Sequence, residues 1–483
     1  MSAIDRMESR VRSYSRSFPA VFDRAVGCHL YDAEGKEYID FFCGAGALNY
    51  GHNHPAMKAA LLQHLGADGV THSLDMATVA KERFLEQFDS EILRPRGLNY
   101  KVQFVGPTGT DGVEAALKLA RLATKRHGVI TFTNAYHGHT AGSLSVTANE
   151  FYRTEYFGQR PGVYFLPYDG FLGADVDTMP YARALLLQAG SGLDRPAAFI
   201  VETIQAEGGV NVASSRWLQE LQRLCHDSQA LLIVDDIQVG CGRTGDFFSF
   251  EKAGLQPDIV VLSKSISGFG LPMTLVLLKP EIDVWQPGQH TGTFRGNNLA
   301  FVTATEALRY WKTKDLTRAV ERKGAHLAQR LGAIRDRYPE LESQTRGRGL
   351  IHGLVIADTS VCQTVARAAF NRGVIIESCG IKKNVLKFLP ALVIEDSVLD
   401  QGIDILEDCI VQALEIKTKC SPMSMLGDAT GTSGLLADDA RRVPPETVAL
   451  SFGQRGSPAP GVEPDGRGCP ASNDGPVLSS PTP

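Results

Sequence analysis

Short apolar segments alternate with longer amphipathic ones over the first 420 residues, and this alternation restricts the possible folds more than any other feature of the sequence. The apolar runs lie at 198–201, 230–234, 259–262 and 274–278. Runs without a polar face are typical of central strands in a parallel sheet, which helices cover on both sides. Between them, segments such as 113–126 and 216–226 repeat apolar residues every three or four positions, as amphipathic helices do. The alternation predicts an α/β architecture.

Both ends of this region have a different pattern. Residues 20–45 alternate in polarity and predict a hairpin that turns at Asp32-Ala33-Glu34-Gly35. Near the other end, the amphipathic segments at 315–338 and 361–372 predict helices on either side of a strand at 349–356. We therefore expect a small α+β domain built from both chain ends, residues 1–70 and 311–420, beside a large domain at 71–310.

The last 63 residues differ in composition from the rest. Residues 421–483 contain ten of the 24 prolines and nine of the 48 glycines, with few large apolar residues and no sustained periodicity. Such a segment buries too little apolar surface to offset the entropy of ordering it. The sequence predicts a disordered tail.

The overall composition argues against several classes of function. The chain has 49 Lys and Arg against 54 Asp and Glu, a formal net charge of -5, and shows no basic stripe for nucleic acid. No apolar stretch reaches the roughly 18 residues that a membrane span requires, and the N-terminus lacks the apolar core of a signal peptide. Nine cysteines without a CxxC pair indicate reduced thiols. We expect a cytoplasmic protein.

The first feature that could carry chemistry is the segment from Gly106 to Thr110, which leads into the helix predicted at 111–126. Gly109 and Thr110 would offer backbone N–H groups and a hydroxyl at the positive end of the helix dipole, which suits a phosphate. The alternative is an ordinary N-cap. Asp111 would have to point away from any phosphate bound there.

The second feature is Asp235, directly after the apolar run LLIV, where α/β folds bind their ligands. The alternative is a carboxylate that caps the next segment. The glycines at 240–245 match G-x-G-x-x-G and leave open an NAD-dependent dehydrogenase. They do not lead into a sufficiently long helix, so this second interpretation is disfavoured.

The third and fourth features are a lysine and an aromatic loop. Lys264 follows the apolar run at 259–262, where partial desolvation would lower its pKa and free the amine as a nucleophile or base. Tyr136 and His137 stand in a glycine loop with His139. No carboxylate or thiol at ligand spacing accompanies the histidines, so we expect no metal site.

Together the four features fit one cofactor. Pyridoxal 5'-phosphate requires a lysine that binds it covalently, a carboxylate at its ring nitrogen, an aromatic face and a phosphate cup. Lys264, Asp235, Tyr136 and the Gly109-Thr110 pair would supply these groups. The residues therefore predict a pyridoxal phosphate enzyme.

The motifs also resemble those of the class III, subgroup II aminotransferases of fold type I, over roughly residues 10–415. Within that class they are most similar to the diaminobutyrate:2-oxoglutarate aminotransferases of ectoine biosynthesis. The resemblance implies a large domain with a mixed, mostly parallel sheet and a smaller α+β domain. The matching strings are GPTGTDGVEAALKLAR (106–121), AYHGHT (135–140), ETIQAEGG (202–209), VDDIQVGCGRTG (234–245), LSKSISGFGLP (262–272) and GTFRGNNLA (292–300).

By position, the resemblance implies a role for each matching residue. Lys264 would hold the cofactor covalently and move a proton, and Asp235 would pair with its ring nitrogen. Because the equivalent of Thr293 reaches the neighbouring subunit's phosphate site, the resemblance also implies a homodimer or a higher homo-oligomer. The further cofactor-binding residues would be Gly109 and Thr110 at the phosphate, Tyr136 and Ile237 on the ring faces, Gln238 at the phenolic oxygen, and His137.

Glu207, Lys387 and His139 would contact the substrate. In related ω-aminotransferases an acidic residue equivalent to Glu207 pairs with an arginine and releases it when the α-carboxylate of glutamate arrives. This chain has Lys387 at the arginine position, and a lysine cannot form a bidentate fork. His139 stands where related enzymes place a carboxylate-binding arginine, so the carboxylate anchor stays open.

The resemblance implies transfer of an amino group from L-glutamate to L-aspartate 4-semialdehyde, which yields L-2,4-diaminobutyrate and 2-oxoglutarate. The substrates are small amino and keto acids. Another class III ω-aminotransferase or an aminomutase is the alternative within the fold. A non-catalytic scaffold that acts through its tail is the alternative outside it.

Overall fold

The computed structural model describes residues 3–153 and 162–419. The tail predicted at 421–483 lies outside these ranges. The helices are α1 (Ala3–Met7), α2 (Tyr14–Ser17), α3 (Cys43–Gly46), α4 (Pro55–Gly66), α5 (Val79–Phe88), α6 (Gly109–Thr124), α7 (Ala141–Ser145), α8 (Met179–Leu187), α9 (Ser215–Ser228), α10 (Asn298–Leu308), α11 (Asp315–Arg337), α12 (Thr359–Asn371) and α13 (Asp396–Lys419). The strands are β1 (Phe22–Val26), β2 (His29–Asp32), β3 (Glu37–Asp40), β4 (Lys101–Phe104), β5 (Val129–Phe132), β6 (Val163–Leu166), β7 (Ala198–Val201), β8 (Ile204–Gln205), β9 (Asn211–Val212), β10 (Leu231–Asp235), β11 (Ile259–Leu262), β12 (Leu275–Leu278), β13 (Gln344–Arg348), β14 (Ile351–Val355), β15 (Val374–Ile375), β16 (Glu377–Cys379) and β17 (Val385–Phe388).

A seven-stranded sheet forms the centre of the fold, with the strand order β4-β12-β11-β10-β7-β5-β6. The pairs β11-β10, β10-β7, β7-β5 and β5-β6 are parallel, whereas β12 is antiparallel to both of its neighbours. The predicted α/β class with a mixed, mostly parallel sheet is confirmed.

The direction of β12 corrects one detail of the sequence interpretation. Its apolar run at 274–278 has the pattern of a central parallel strand, yet β12 runs against β11. Only residues 263–274 connect the two strands. A parallel return needs a crossover of at least about a dozen residues, usually with a helix. This connection is only just that long and contains a short 3-10 turn in place of a helix. Burial on both faces therefore predicted the position of β12 but not its direction.

Helices cover both faces of the central sheet because its strands are apolar on both. Along β11, Val261 packs in the cluster that contains Val113 and Leu117 of α6. Val260 points the other way, into the larger cluster that contains Trp217 of α9. Full burial of one such side chain contributes roughly 1.5–3 kcal/mol, so the two layers fix the sheet firmly. Within the described ranges, no helix is both long and apolar enough to cross a membrane.

Both chain ends contribute to smaller sheets. In one, β1, β2 and β3 are joined by β15, so that strands from the two ends lie side by side. The predicted hairpin turn is present because Asp32 Oδ1 accepts the backbone N–H groups of Glu34 and Lys36 at 3.0 and 2.9 Å. The other sheet has the order β13-β14-β17-β16. The domain limits at 1–70, 71–310 and 311–420 stay a prediction.

Candidate active site

Acidic and basic side chains meet where three neighbouring strands of the central sheet end. β10 ends at Asp235, Glu202 follows β7, and Lys264 lies two residues beyond β11. The parallel register pairs Asp235 with Val261 of β11. Because open α/β sheets bind ligands outside the carboxyl ends of their strands, this edge is the candidate active site.

Asp235 is buried beside an imidazole. It is 4% exposed, and its Oδ2 lies 2.7 Å from Nδ1 of His137, which is 2% exposed. Burial alone would lower the pKa of His137, but the hydrogen bond to Asp235 and the charge of Asp235 raise it. Oδ1 of Asp235 accepts the N–H of Ile237 at 3.2 Å. Each oxygen of Asp235 has a lone pair left over, so the carboxylate can accept a further hydrogen from a ligand.

Lys264 begins a short 3-10 turn with a φ of 52°, in the left-handed region that non-glycine residues rarely adopt. Burial, together with the nearby positive charge of Lys387, lowers the pKa of its amine to about 8, although Asp235 acts in the opposite direction. An amine with such a pKa is partly unprotonated near neutral pH. It can therefore act as a nucleophile or a base.

Glu202 lies near enough to Asp235 to feel its charge, and it holds the backbone of the aromatic loop. Its Oε1 accepts the backbone N–H of Tyr136 at 3.0 Å. Burial raises the pKa of Glu202 to about 7, and the charge of Asp235 acts in the same direction while that of His137 opposes it. The contact fixes the backbone at the start of the Tyr136 loop.

The N-terminus of α6 is capped by its own residues. Oδ2 of Asp111 accepts the backbone N–H of Thr108 at 3.1 Å and its hydroxyl at 2.8 Å. The capping interpretation is therefore confirmed for Thr108. The carboxylate of Asp111 is engaged with that residue and does not reach past it.

Beside this cap, three hydroxyl groups converge. Thr110 Oγ1 lies 2.7 Å from Thr140 Oγ1 and 2.6 Å from Ser143 Oγ. A Cβ at Gly138 would approach Thr110 Oγ1 to 2.5 Å, so this position requires glycine. Hydroxyl donors next to the positive end of a helix are suited to an anion such as a phosphate.

Ile237 and Gln238, which follow Asp235 in the chain, complete this side of the site. A Cβ at Gly109 would come within 2.9 Å of Ile237 Cδ1, which places the side chain of Ile237 against the start of α6. Gln238 Nε2 donates to the carbonyl of Ala45 at 2.7 Å, which leaves its Oε1 free to accept a further hydrogen bond.

A network of ion pairs lies beside Lys264. Lys387 Nζ donates to Glu207 Oε2 at 3.0 Å and lies 3.0 Å from Glu377 Oε2, and its side chain is 0% exposed. Lys383 Nζ donates to Glu207 Oε1 at 3.0 Å. The hydroxyl of Tyr14 donates to Glu377 Oε1 at 3.3 Å. Burial alone would raise the pKa of Glu207, but the charges of Lys387 and Lys383 outweigh burial and lower it.

His139 belongs to an aromatic group at the surface of the site. Its ring lies 5.3 Å from the ring of Tyr136 and 4.6 Å from that of Tyr152, measured between centroids. Burial lowers the pKa of His139, although the charge of Glu207 opposes the shift. A mostly neutral imidazole gives a weak anchor for a carboxylate at neutral pH.

Thr293 lies on an exposed loop that contacts the segment following α4. Its carbonyl accepts a hydrogen bond from His72 Nε2 at 3.0 Å, and the ring of the neighbouring Phe294 packs edge-on against that of His72. Within the described ranges, no hydrogen bond joins Thr293 to Lys264 or Asp235 of the same chain.

The glycine loop at 240–245 has a packing role. Arg243 is fully buried and donates to the carbonyl groups of Leu350 and Pro390 and to Asn49 Oδ1. A Cβ at Gly242 would lie 2.5 Å from the ring of Trp311. The loop leads to turns and a 3-10 segment at Glu251–Ala253, which does not provide the helix of a dinucleotide site.

Two further histidines, His52 and His54, are paired in sequence as His137 and His139 are, but they have other partners. Nε2 of His52 lies 2.8 Å from Asp40 Oδ2, and Nε2 of His54 lies 2.7 Å from the hydroxyl of Tyr310. In the part of the chain that the structure describes, no three His, Cys, Asp or Glu residues are grouped as metal ligands would be.

The structure brings most of the predicted site residues to one place but adds four that sequence reasoning missed. Glu202 carried a signal, because it follows an apolar strand as Asp235 does. Lys383, Glu377 and Tyr14 carried none, because they come from a hairpin and from the N-terminal segment, far apart in sequence. Only the tertiary fold joins them to Glu207.

Comparisons with known proteins identify the family of the chain. The family model Aminotransferase class-III matches residues 11–410. A diaminobutyrate–2-oxoglutarate transaminase of Bordetella parapertussis is 56% identical over 86% of this chain and 96% of its own length. One of Halalkalibacterium halodurans is 50% identical over 86% of this chain and 98% of its own. Among solved structures, the ornithine aminotransferase of Toxoplasma gondii is 29% identical with a TM-score of 0.74, and covers 86% of this chain and 94% of its own. A second structure of that enzyme shows partial occupancy of pyridoxal phosphate at its active site.

Proposed function

The chain belongs to the class III aminotransferases, which use pyridoxal phosphate, and from this premise we propose that it is a diaminobutyrate–2-oxoglutarate aminotransferase. L-glutamate would donate the amino group, L-aspartate 4-semialdehyde would accept it, and L-2,4-diaminobutyrate would be the product. The observation that carries the chemistry is the meeting of Asp235 and Lys264 at adjacent strand ends. The choice of substrates is supported by relatives that are 50–56% identical over most of the chain.

The donor set of the site fits the cofactor. Asp235, supported by His137, would bind the protonated ring nitrogen, because a buried carboxylate at that point can accept its hydrogen. Tyr136 and Ile237 would lie on opposite faces of the ring. Gln238 would use its free Oε1 at the phenolic oxygen.

The phosphate would lie at the start of α6. Gly109 would offer its backbone N–H, and Thr110 its hydroxyl, which Thr140 and Ser143 hold in place. Thr293 of the partner subunit would complete the cup.

When bound, the cofactor supplies an electron sink for negative charge that develops on the substrate carbon. The residues of this chain position and move the proton. Lys264 Nζ would take the proton from the substrate carbon and pass it to the cofactor, and would carry it in the opposite direction in the second half-reaction. Its lowered pKa keeps part of the amine unprotonated for this role. Glu207, Lys387 and His139 would surround the substrate.

We also propose a homodimer. The loop that carries Thr293 exposes an apolar side chain, since Phe294 is 68% exposed. Leu74 and Met76 are also exposed, and they follow His72, which is hydrogen-bonded to Thr293. Such a patch is typical of a surface that pairs with another subunit. Sedimentation velocity that found only monomer would contradict the dimer. A cytoplasmic location is supported by the cysteines in the described ranges, which are all free and buried.

The central test replaces Lys264 with Ala in the purified enzyme. We expect no formation of diaminobutyrate from glutamate and the semialdehyde, because the residue that holds the cofactor and moves the proton is lost. Lys252→Ala is the matched control, since Lys252 is exposed and lies outside the site. Product formation by the Lys264→Ala enzyme at the wild-type rate would refute the mechanism, and a donor panel in which glutamate and diaminobutyrate are inactive would refute the substrates.

A further inference from the structure

Four charged groups, Lys387 and three neighbours, form a network with equal numbers of positive and negative charges. Lys383 and Lys387 carry two positive charges, and Glu207 and Glu377 carry two negative ones. Glu207 is shared, with Oε1 on Lys383 and Oε2 on Lys387, both at 3.0 Å. Because each lysine holds a different oxygen, Glu207 can lose one of them and keep the other.

The two lysines differ in their freedom to move. The side chain of Lys387 is 0% exposed on β17, whereas that of Lys383 is 40% exposed in the turn between β16 and β17. The carbonyl of Glu207 accepts the N–H of Gly380, which ties this turn to the backbone of Glu207. Lys383 is therefore held near Glu207 but keeps room to move.

Glu377 gives Lys387 a second carboxylate. Its Oε2 lies 3.0 Å from Lys387 Nζ without the angle of a hydrogen bond, and its Oε1 accepts the hydroxyl of Tyr14. An ammonium group has three rotatable hydrogens. If Glu207 moved away, Lys387 would keep a buried anion beside it and could turn a hydrogen towards a new acceptor.

The proposed reaction places opposite demands on this network. Glutamate carries a carboxylate on the carbon that bears its amino group, so it requires a free cation next to that carbon. The reacting carbon of the semialdehyde carries none, and a bare buried cation there would be costly. The site must therefore offer Lys387 to one substrate and cover it for the other.

Resting on the proposed function, we propose that Lys383 is a positioning residue that holds Glu207 away from Lys387 while the donor is bound. As in the related ω-aminotransferases, the α-carboxylate of glutamate or 2-oxoglutarate would take the place of Glu207 on the cation, here Lys387. The new element is that the displaced Glu207 stays paired with Lys383. With the semialdehyde or diaminobutyrate, Glu207 bridges both lysines as in this structure. Glu377, which Tyr14 holds in place, stays beside Lys387 in both states.

The test is Lys383→Ala in the holoenzyme. Without Lys383, a displaced Glu207 has no cation, so the donor must compete harder for Lys387. A charge-assisted hydrogen bond that is partly screened corresponds to an effect of about tenfold. We expect calorimetry to show about tenfold weaker binding of 2-oxoglutarate, and half-reaction kinetics to show a similarly raised KM for glutamate. The KM for diaminobutyrate should not change.

Lys382→Ala is the matched control, because it removes the same charge from the neighbouring, exposed position. We expect it to leave all three constants unchanged, and Lys383→Arg to restore donor binding. Diaminobutyrate turnover by the Lys383→Ala enzyme also reports that the variant is folded.

Each other outcome has a definite meaning. Equal losses for glutamate and diaminobutyrate, a loss confined to diaminobutyrate, or no change in 2-oxoglutarate binding would each overturn the role of Lys383. If the wild-type enzyme reacted with glutamate but not with diaminobutyrate, the proposed function would fail instead. The two failures are therefore distinguishable.

Discussion

The buried pair of His137 and Asp235 allows a prediction whose sign depends on pH. We consider His137→Asn in the cofactor-free protein, where no ligand competes for Asp235. The amide of Asn is placed like Nδ1 of the imidazole, so a neutral donor to Asp235 remains, but the group that titrates is removed.

The magnitude follows from the contact at 2.7 Å between two buried groups. A hydrogen bond between charged partners contributes about 1.5–3 kcal/mol and a neutral one about 0.5–1.5 kcal/mol, so the substitution should cost about 1–2 kcal/mol when His137 is protonated. Over roughly 400 folded residues, this lowers the midpoint of thermal unfolding by about 1–2 °C.

The pH dependence has a definite direction. The folded protein raises the pKa of His137 above its unfolded value, so the stabilisation is fully present below the unfolded pKa of about 6.5 and is lost as the pH rises through the folded pKa. Differential scanning calorimetry of wild type and variant at pH 6 and pH 9 should therefore show a larger difference between them at pH 6.

His54→Gln provides a control of opposite sign. His54 contacts Tyr310 at 2.7 Å, but burial lowers its pKa. Protonation therefore disfavours the folded state, and the loss caused by this substitution should be larger at pH 9 than at pH 6. If the loss in His137→Asn were the same at both pH values, or larger at pH 9, the assignment of a protonated His137 on Asp235 would be wrong.

Two further predictions concern packing around the site. Gly109→Ala should lower the free energy of unfolding by about 1–3 kcal/mol, because the new Cβ would lie 2.9 Å from Ile237 Cδ1. Calorimetry should show partial recovery of this stability in the double variant that also carries Ile237→Val. No recovery would refute the steric cause. Arg243→Lys should lower the free energy of unfolding by about 3–5 kcal/mol, because a lysine cannot reach the carbonyls of Leu350 and Pro390 and the side-chain oxygen of Asn49 together. An unchanged thermal midpoint would contradict the packing role of the glycine loop.

The sequence predicted the elements whose patterns are local. The strands β7 and β11 coincide with the apolar runs at 198–201 and 259–262, and α6 and α9 with the amphipathic segments. Apolar runs report burial on both faces, and helical periodicity reports one buried stripe, so both can be read within a short window. The direction of β12 could not be predicted in this way, because it depends on how the connection from β11 returns across the sheet.

The same limit applies to the site. Asp235, Lys264 and the start of α6 were predictable because each follows a strand or precedes a helix, and parallel strands bring their carboxyl ends to one edge. The contact between His137 and Asp235 was not, although both residues were named, because their separation of 98 residues gives no register. The partners of Glu207 likewise come from the hairpin of β16 and β17 and from the N-terminal segment.

Those partners change the meaning of the lysine at position 387. From the sequence, lysine in place of arginine was a loss, since a point charge cannot grip a carboxylate with two parallel hydrogen bonds. In the structure this point charge lies between two carboxylates, Glu207 and Glu377. A guanidinium group would have to present its fixed fork to one of them, whereas an ammonium group can turn its hydrogens from one acceptor to another. Under the proposed role of Lys383 as a second cation for Glu207, the exchange of one carboxylate for another would require the movement of a single side chain.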